Sequence, residues 1–128
     1  MPDLKDFLII DDNAQDVGHL RAVLHMVRGY DVVVREASTT SAALDAVREH
    51  PPEVVFTDHL SPTDTAFSTI GKLRDIGYDG PIVVVTGHGD KIRRRQLLAA
   101  GAVAVLDKDE LDSRLVAQTL ADLSQADS

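Results

Sequence analysis

Five short apolar runs alternate with five segments whose apolar residues recur at spacings of three and four, and this alternation leaves few architectures open. The runs are Phe7 to Ile10, "DVVVREA" at 31–37, Val54 to Thr57, "PIVVVT" at 81–86 and "AVAVL" at 102–106. After the first, Val17, Leu20, Leu24 and Val27 mark a helix closed by Gly29. Ser38, Thr39 and Thr40 open a second helix through Ala43, Leu44 and Val47, stopped by "HPP" at 50–52. Phe67, Ile70 and Leu73 give a third, which ends at Gly77 before a "YDG" turn. Asp90 caps a fourth that Gly101 ends, and Leu111 to Leu123 form the last. A strand facing water on one side would alternate polar and apolar residues. Runs that are apolar throughout instead indicate parallel strands covered on both faces. The expected fold is therefore α/β, a doubly wound five-stranded parallel sheet.

At 128 residues the chain has the size of one domain, expected over 1–128, and no linker or internal repeat divides it. The tail "SQADS" at 124–128 is expected to fray. Absence of cysteine excludes disulfides, thiolate metal sites and a cysteine nucleophile, and it fits a cytoplasmic setting. No stretch approaches the roughly 18 apolar residues of a membrane span, so no membrane partner is expected. The formal charge of −8 repels a phosphate backbone, and aromatic residues are few, so direct nucleic-acid binding is not expected either.

Open α/β sheets bind ligands beyond the carboxyl ends of their strands, where strand order reverses. The first strand ends in Asp11 and Asp12, the third in Asp58 and the fourth in Thr86, and Lys108 follows the fifth. Two like charges about 4 Å apart repel by about 4 kcal/mol at an effective dielectric of about 20, so clustered carboxylates call for a counter-ion. All-oxygen ligands with room for water and a phosphate oxygen suit Mg²⁺ better than zinc or copper. A carboxylate is also a nucleophile toward phosphorus when a metal and a lysine offset the charge on the transferring group.

Four motifs carry a resemblance to a known family: the acidic pair in "FLIIDDN", Asp58 ending "VVFTD" with Pro62 four places on, Thr86 in "VVVTGHGD", and Lys108 in "GAVAVLDKD". In this order and at strand ends, they resemble the response-regulator receiver domains of two-component signalling. The resemblance covers nearly the whole chain. It implies a flavodoxin-like fold with strand order 2-1-3-4-5. It also implies Asp58 as phosphoacceptor, Thr86 and Lys108 as its partners, and Mg²⁺ held by Asp12, by Asp11 through water, by Asp58 and by the Leu60 carbonyl. Phosphate would come from a histidine kinase or a phosphotransfer protein. The expected protein is a stand-alone signalling module rather than a metabolic enzyme; the alternatives are a non-switching docking scaffold and a small metal-dependent phosphatase.

The chain departs from the family's pattern in three places. An aromatic residue usually stands three positions before the lysine, where its rotation reports phosphorylation; here it is Val105. Proline usually follows the lysine; here Asp109 follows, and a trans bond is expected because a cis bond before a non-proline residue costs about 2.5 to 4 kcal/mol. The loop after Asp58 is unusually polar, with Ser61 before Pro62 and Ala66 where glycine is usual. It is either a plain solvated loop or one in which His59 or Asp64 alters phosphate lifetime.

Outside these motifs, "KIRRRQ" at 91–96 places Arg93, Arg94 and Arg95 as a belt around a helix, with at least one stem packed near the sheet. The belt is either a solvated face or a docking site for an acidic downstream partner or a phosphorylated ligand. Ala14, Gly18 and Ala22 form a small-residue strip on the first helix, beside the acidic edge. The five histidines show no metal-ligand spacing.

Overall fold

A computed structural model describes residues 3–27, 30–58, 65–87 and 91–126. The elements run β1 (Asp3–Ile10), α1 (Ala14–Met26), β2 (Tyr30–Ala37), α2 (Thr40–Glu49), β3 (Val54–Thr57), α3 (Ala66–Asp75), β4 (Ile82–Thr86), α4 (Lys91–Ala100), β5 (Ala104–Asp107) and α5 (Ser113–Ala126), with a 3₁₀ turn at Lys108–Glu110. All strand pairs are parallel, in the order β2-β1-β3-β4-β5. The expected fold and strand order are both present.

Alternate side chains of the central strands feed two separate cores. Phe7, Ile9, Phe56, Val83 and Val85 pack on one face against Leu20 and Leu24 of α1 and Val116 of α5. Leu8, Ile10, Val55, Ile82 and Val84 pack on the other against Val47 of α2, Ile70 of α3 and Leu97 of α4. Both layers bury apolar side chains, which is why these runs lack polar alternation. Phe7 and Phe56 meet edge to face, with centroids 5.6 Å apart at 81°.

Helix ends follow the capping residues. Asn13 accepts from the N–H groups of Gln15 and Asp16, Thr39 from Ala42, and Thr65 from Ser68. Gly77 (φ 91°) and Gly101 (φ 123°) close α3 and α4 in the left-handed region. In each case the next residue's N–H returns to the helix: Tyr78 to the Leu73 carbonyl at 3.0 Å and Ala102 to that of Leu97 at 3.1 Å.

The largest boundary differences from the sequence expectation, in β1, β5 and α5, each have a local reason. β1 starts at Asp3, not Phe7, because its polar half is satisfied across strands: Arg35 Nε donates to Asp6 Oδ1 at 3.0 Å. The same guanidinium donates to the Ala46 and His50 carbonyls at 2.9 and 2.6 Å, tying β2 to the end of α2. β5 starts at Ala104: the N–H of Ala102 is spent on α4, and that of Val103 already makes a first bond to β4, at the Ile82 carbonyl. α5 starts at Ser113, capped by Asp112 (Leu115 N–H to Oδ1, 2.8 Å), and stays helical to Ala126, three residues into the segment expected to fray. Gly29 and Asp90 lie outside the described residues.

Behind the sheet's amino-terminal edge, buried Tyr78 donates its hydroxyl to the Pro52 carbonyl at 3.1 Å, and the Arg74 guanidinium lies over its ring. Burial holds the phenol neutral, raising its pKa well above the ordinary value. Tyr78→Phe leaves that carbonyl short of its partner and is expected to cost about 1–2 kcal/mol. Chemical denaturation should show a lower midpoint with an unchanged slope.

Candidate functional site

Strand order reverses between β1 and β3, and the acidic residues stand there. The ladders continue past the strand ends: the Asp11 N–H donates to the Ala37 carbonyl at 3.0 Å and that of Asp58 to Ile10 at 2.9 Å. These bonds fix both backbones at the carboxyl edge of the sheet. Oxygens of Asp11, Asp12 and Asp58 all lie within 4.8 Å of one another, Asp11 buried, Asp58 half-buried and Asp12 exposed. The edge is closed on the α1 side by a chain of local bonds, Asn13 N–H to Asp11 Oδ1 at 2.9 Å and the Asn13 cap onto Gln15 and Asp16.

Lys108 crosses to this edge from the end of β5. Its Nζ lies 3.1 Å from Asp58 Oδ2, 3.2 Å from Asp11 Oδ2 and 2.6 Å from Asp16 Oδ2. Asp107 holds the backbone that aims it, accepting from the Asp109 N–H at 2.8 Å as the chain turns into the 3₁₀ segment. The Lys108–Asp109 bond is trans, as no described residue has a cis bond. Thr86 ends β4, buried and in register with Asp107. The structure thus places Asp11, Asp12, Asp58 and Lys108 together and Thr86 on the same edge, while Leu60, with His59 and 61–64, lies outside the described residues.

Asp16 was not among the expected site residues, although it makes the shortest contact to Lys108. In sequence it is one more acidic residue in the first turn of a helix, where it also complements the helix dipole. Its partner is 92 residues away. The available signal was its place on the turn that leaves the acidic edge.

Electrostatics separate the two key groups. Burial pushes the Asp11 carboxyl above its ordinary range; the Asn13 N–H pulls it down, the Asp58 charge pushes it up further, and Lys108 does not offset the sum. A raised value in the folded state means that ionised Asp11 subtracts from stability. The penalty is absent below the carboxyl's unfolded titration range and complete above its folded one. For Lys108, burial works to lower the ammonium, but hydrogen bonds to Asp16 and Asp58 and the charges of Asp58 and Asp11 outweigh it and hold the group firmly protonated. One ammonium therefore faces four carboxylates, three of which it touches.

This donor set fits a hard divalent cation such as Mg²⁺. All donors are oxygens, one is exposed and free to carry water-bridged ligands, and burial of Asp11 disfavours its charged form, a penalty that a bound cation offsets. Beside the cluster lies a cleft of about 330 Å³ lined by Asp11, Asp16, His19, Asp58, Lys108 and Leu111. It gives room for a small anionic group against the lysine. Val105, in place of the expected aromatic, is buried in β5 opposite Val84.

Comparison with known proteins gives the same picture. A family model described as the response regulator receiver domain matches residues 7–120. The chain is 38% identical over 112 residues to the transcriptional regulatory protein KdpE of Mycobacterium tuberculosis, a match covering 84% of this chain and 48% of that protein. The chain spans about half the length of this curated relative. Among solved structures it is similar to the signal receiver domain of the putative response regulator NarL from M. tuberculosis (TM-score 0.78, 22% identity, 97% of this chain and 98% of that one). It is also similar to the receiver domain of the histidine kinase CKI1 from Arabidopsis thaliana, solved with Mg²⁺ and BeF₃⁻ (TM-score 0.76, 22% identity, 94% and 90%). With its parallel sheet in the order 2-1-3-4-5 and an acidic edge at the reversal point, the chain belongs to the response regulator receiver domain family.

Proposed function

We propose that Asp58 accepts a phosphoryl group, with Mg²⁺ bound at the acidic edge, from a histidine kinase or a phosphotransfer protein. The observation that carries this is the Asp58 carboxylate held 3.1 Å from an ammonium and inside a three-carboxylate cluster, at the mouth of a cleft. The similar receiver domain of CKI1 was solved with Mg²⁺ and BeF₃⁻, a ligand pair that supports the reading. Asp11, Asp12 and Asp58, with the Leu60 carbonyl, would hold the ion. Bound there, Mg²⁺ would supply charge neutralisation for the transferring group.

The residues themselves divide the work. An Asp58 oxygen attacks phosphorus, forming a P–O bond as the P–N bond to the donor's imidazole breaks, and the electron pair leaves with the imidazole. Lys108 balances negative charge gathering on the phosphoryl oxygens. Thr86, on the neighbouring strand end, would donate its hydroxyl to the phosphoryl group once formed. This is signalling chemistry performed once on the protein itself rather than turnover of a metabolite.

Output would proceed through protein contacts. On α4, Arg94 and Arg95 are exposed and Arg93 is half-buried, as a belt requires, and Ile92 and Leu98 are exposed beside them. An apolar and basic surface of this kind suits a downstream protein with an acidic face. No described helix is long and apolar enough to cross a membrane.

The test is incubation with a small acyl phosphate and Mg²⁺, followed by intact mass. One phosphoryl adduct, absent in Asp58→Asn, supports the proposal. No adduct favours a docking scaffold, and donor hydrolysis without accumulation favours a phosphatase.

A further inference from the structure

Lys108 and an incoming cation compete for the same oxygens. The ammonium touches Asp11 and Asp58 at 3.2 and 3.1 Å, and these two carboxylates belong to the cluster that fits Mg²⁺. Two like charges sharing ligands repel, so metal can load well only if the lysine has another anion to lean on. Among the described residues, Asp16 is that anion. It makes the shortest contact, 2.6 Å, and it is not one of the cluster oxygens. Its side chain is 39% exposed, against 7% for Asp11 and 15% for Asp58, so its charge is the least costly of the three to keep. The Asn13 cap fixes the helical turn that carries it.

We infer that Asp16 is a positioning residue for Lys108: it draws the ammonium toward α1, so that Mg²⁺ and the lysine occupy the acidic edge together. The inference rests on the proposed Mg²⁺-dependent phosphoacceptor site. Without the Asp16 charge, Lys108 settles fully on Asp11 and Asp58 and opposes the metal. In a protein lacking the lysine, loss of Asp16 removes only one partly exposed carboxylate that is not one of the cluster oxygens, with no ammonium left to release onto Asp11 and Asp58.

Magnesium chloride titrations of the full chain, followed by backbone amide NMR shifts, test this in wild type, Asp16→Asn, Asp16→Glu, Lys108→Gln and the Asp16→Asn/Lys108→Gln double variant. Asp16→Asn should weaken Mg²⁺ binding about threefold to tenfold. Asp16→Glu should remain within about twofold of wild type, and adding Asp16→Asn to Lys108→Gln should change the affinity by less than about twofold. An unchanged affinity in Asp16→Asn, or an equal weakening in both backgrounds, overturns the positioning role alone. Failure of the wild type to bind Mg²⁺ overturns the acidic-edge reading and this inference with it.

Discussion

Replacing Lys108 with methionine is expected to slow phosphoryl transfer to Asp58 by about a hundredfold to a thousandfold, the usual loss when one preorganised charge partner is removed from a reacting oxygen. Methionine keeps an unbranched apolar stem and deletes only the ammonium. The reason for so large an effect is geometric. Nζ lies 3.1 Å from Asp58 Oδ2 with the side chain only 20% exposed, so solvent is a poor substitute for it. The same change should tighten Mg²⁺ binding, because the ammonium that shares Asp11 and Asp58 is gone. The two effects run in opposite directions, and a general loss of structure would not produce that pattern. Adduct formation timed at saturating Mg²⁺, beside a metal titration, measures both. A rate within about threefold of wild type would remove Lys108 from the transfer step.

The largest effect on stability is expected at Phe56. It lies in β3, flanked by β1 and β4, with no side-chain exposure, and meets Phe7 edge to face. Phe56→Ala removes that ring and leaves a cavity which the flanking parallel strands cannot close, costing about 3–5 kcal/mol. A domain of this kind has about 5–15 kcal/mol in total, so the variant should be near its threshold. Phe56 also stands two residues before Asp58 and lines the cleft beside it, so the backbone that presents the carboxylate loses support at the same time. Urea denaturation reads the change; a loss below about 1 kcal/mol would mean that the core repacks around the gap.

Much of this was legible in the chain itself, because the features are local. Apolar runs such as Val54 to Thr57 and Ile82 to Thr86 are buried on both faces, and strands of that kind can be recognised from composition alone. Asp11, Asp58 and Thr86 were recognisable because each directly follows or ends such a run. The polar half of β1 was not, since its pairing depends on Arg35, 29 residues on from Asp6. Asp16 escaped for the same reason on a larger scale: nothing near it in sequence announces a lysine on the far side of the sheet. Pairwise electrostatics across a parallel sheet leave little trace in periodicity.

Val105 carries a further physical consequence. It is packed in the core between β4 and α4, with Val84 as its sheet partner and Leu97 in the same cluster. A side chain without a ring, enclosed in this way, offers no large rotation through which the edge could signal outward. Under the proposed function, phosphorylation would be reported by movement of backbone or of the charged α4 surface.

Phosphate uptake by Asp58 at a metal-neutralised acidic edge can be read from the mass of the protein alone. Intact mass after incubation with a small acyl phosphate, with and without Mg²⁺, and in wild type and Asp58→Asn, tests it most directly. The expected result is one phosphoryl group per chain in wild type with Mg²⁺, and none without the metal or in the variant. An adduct that persists in Asp58→Asn, or none in the wild type under any of these conditions, would contradict it.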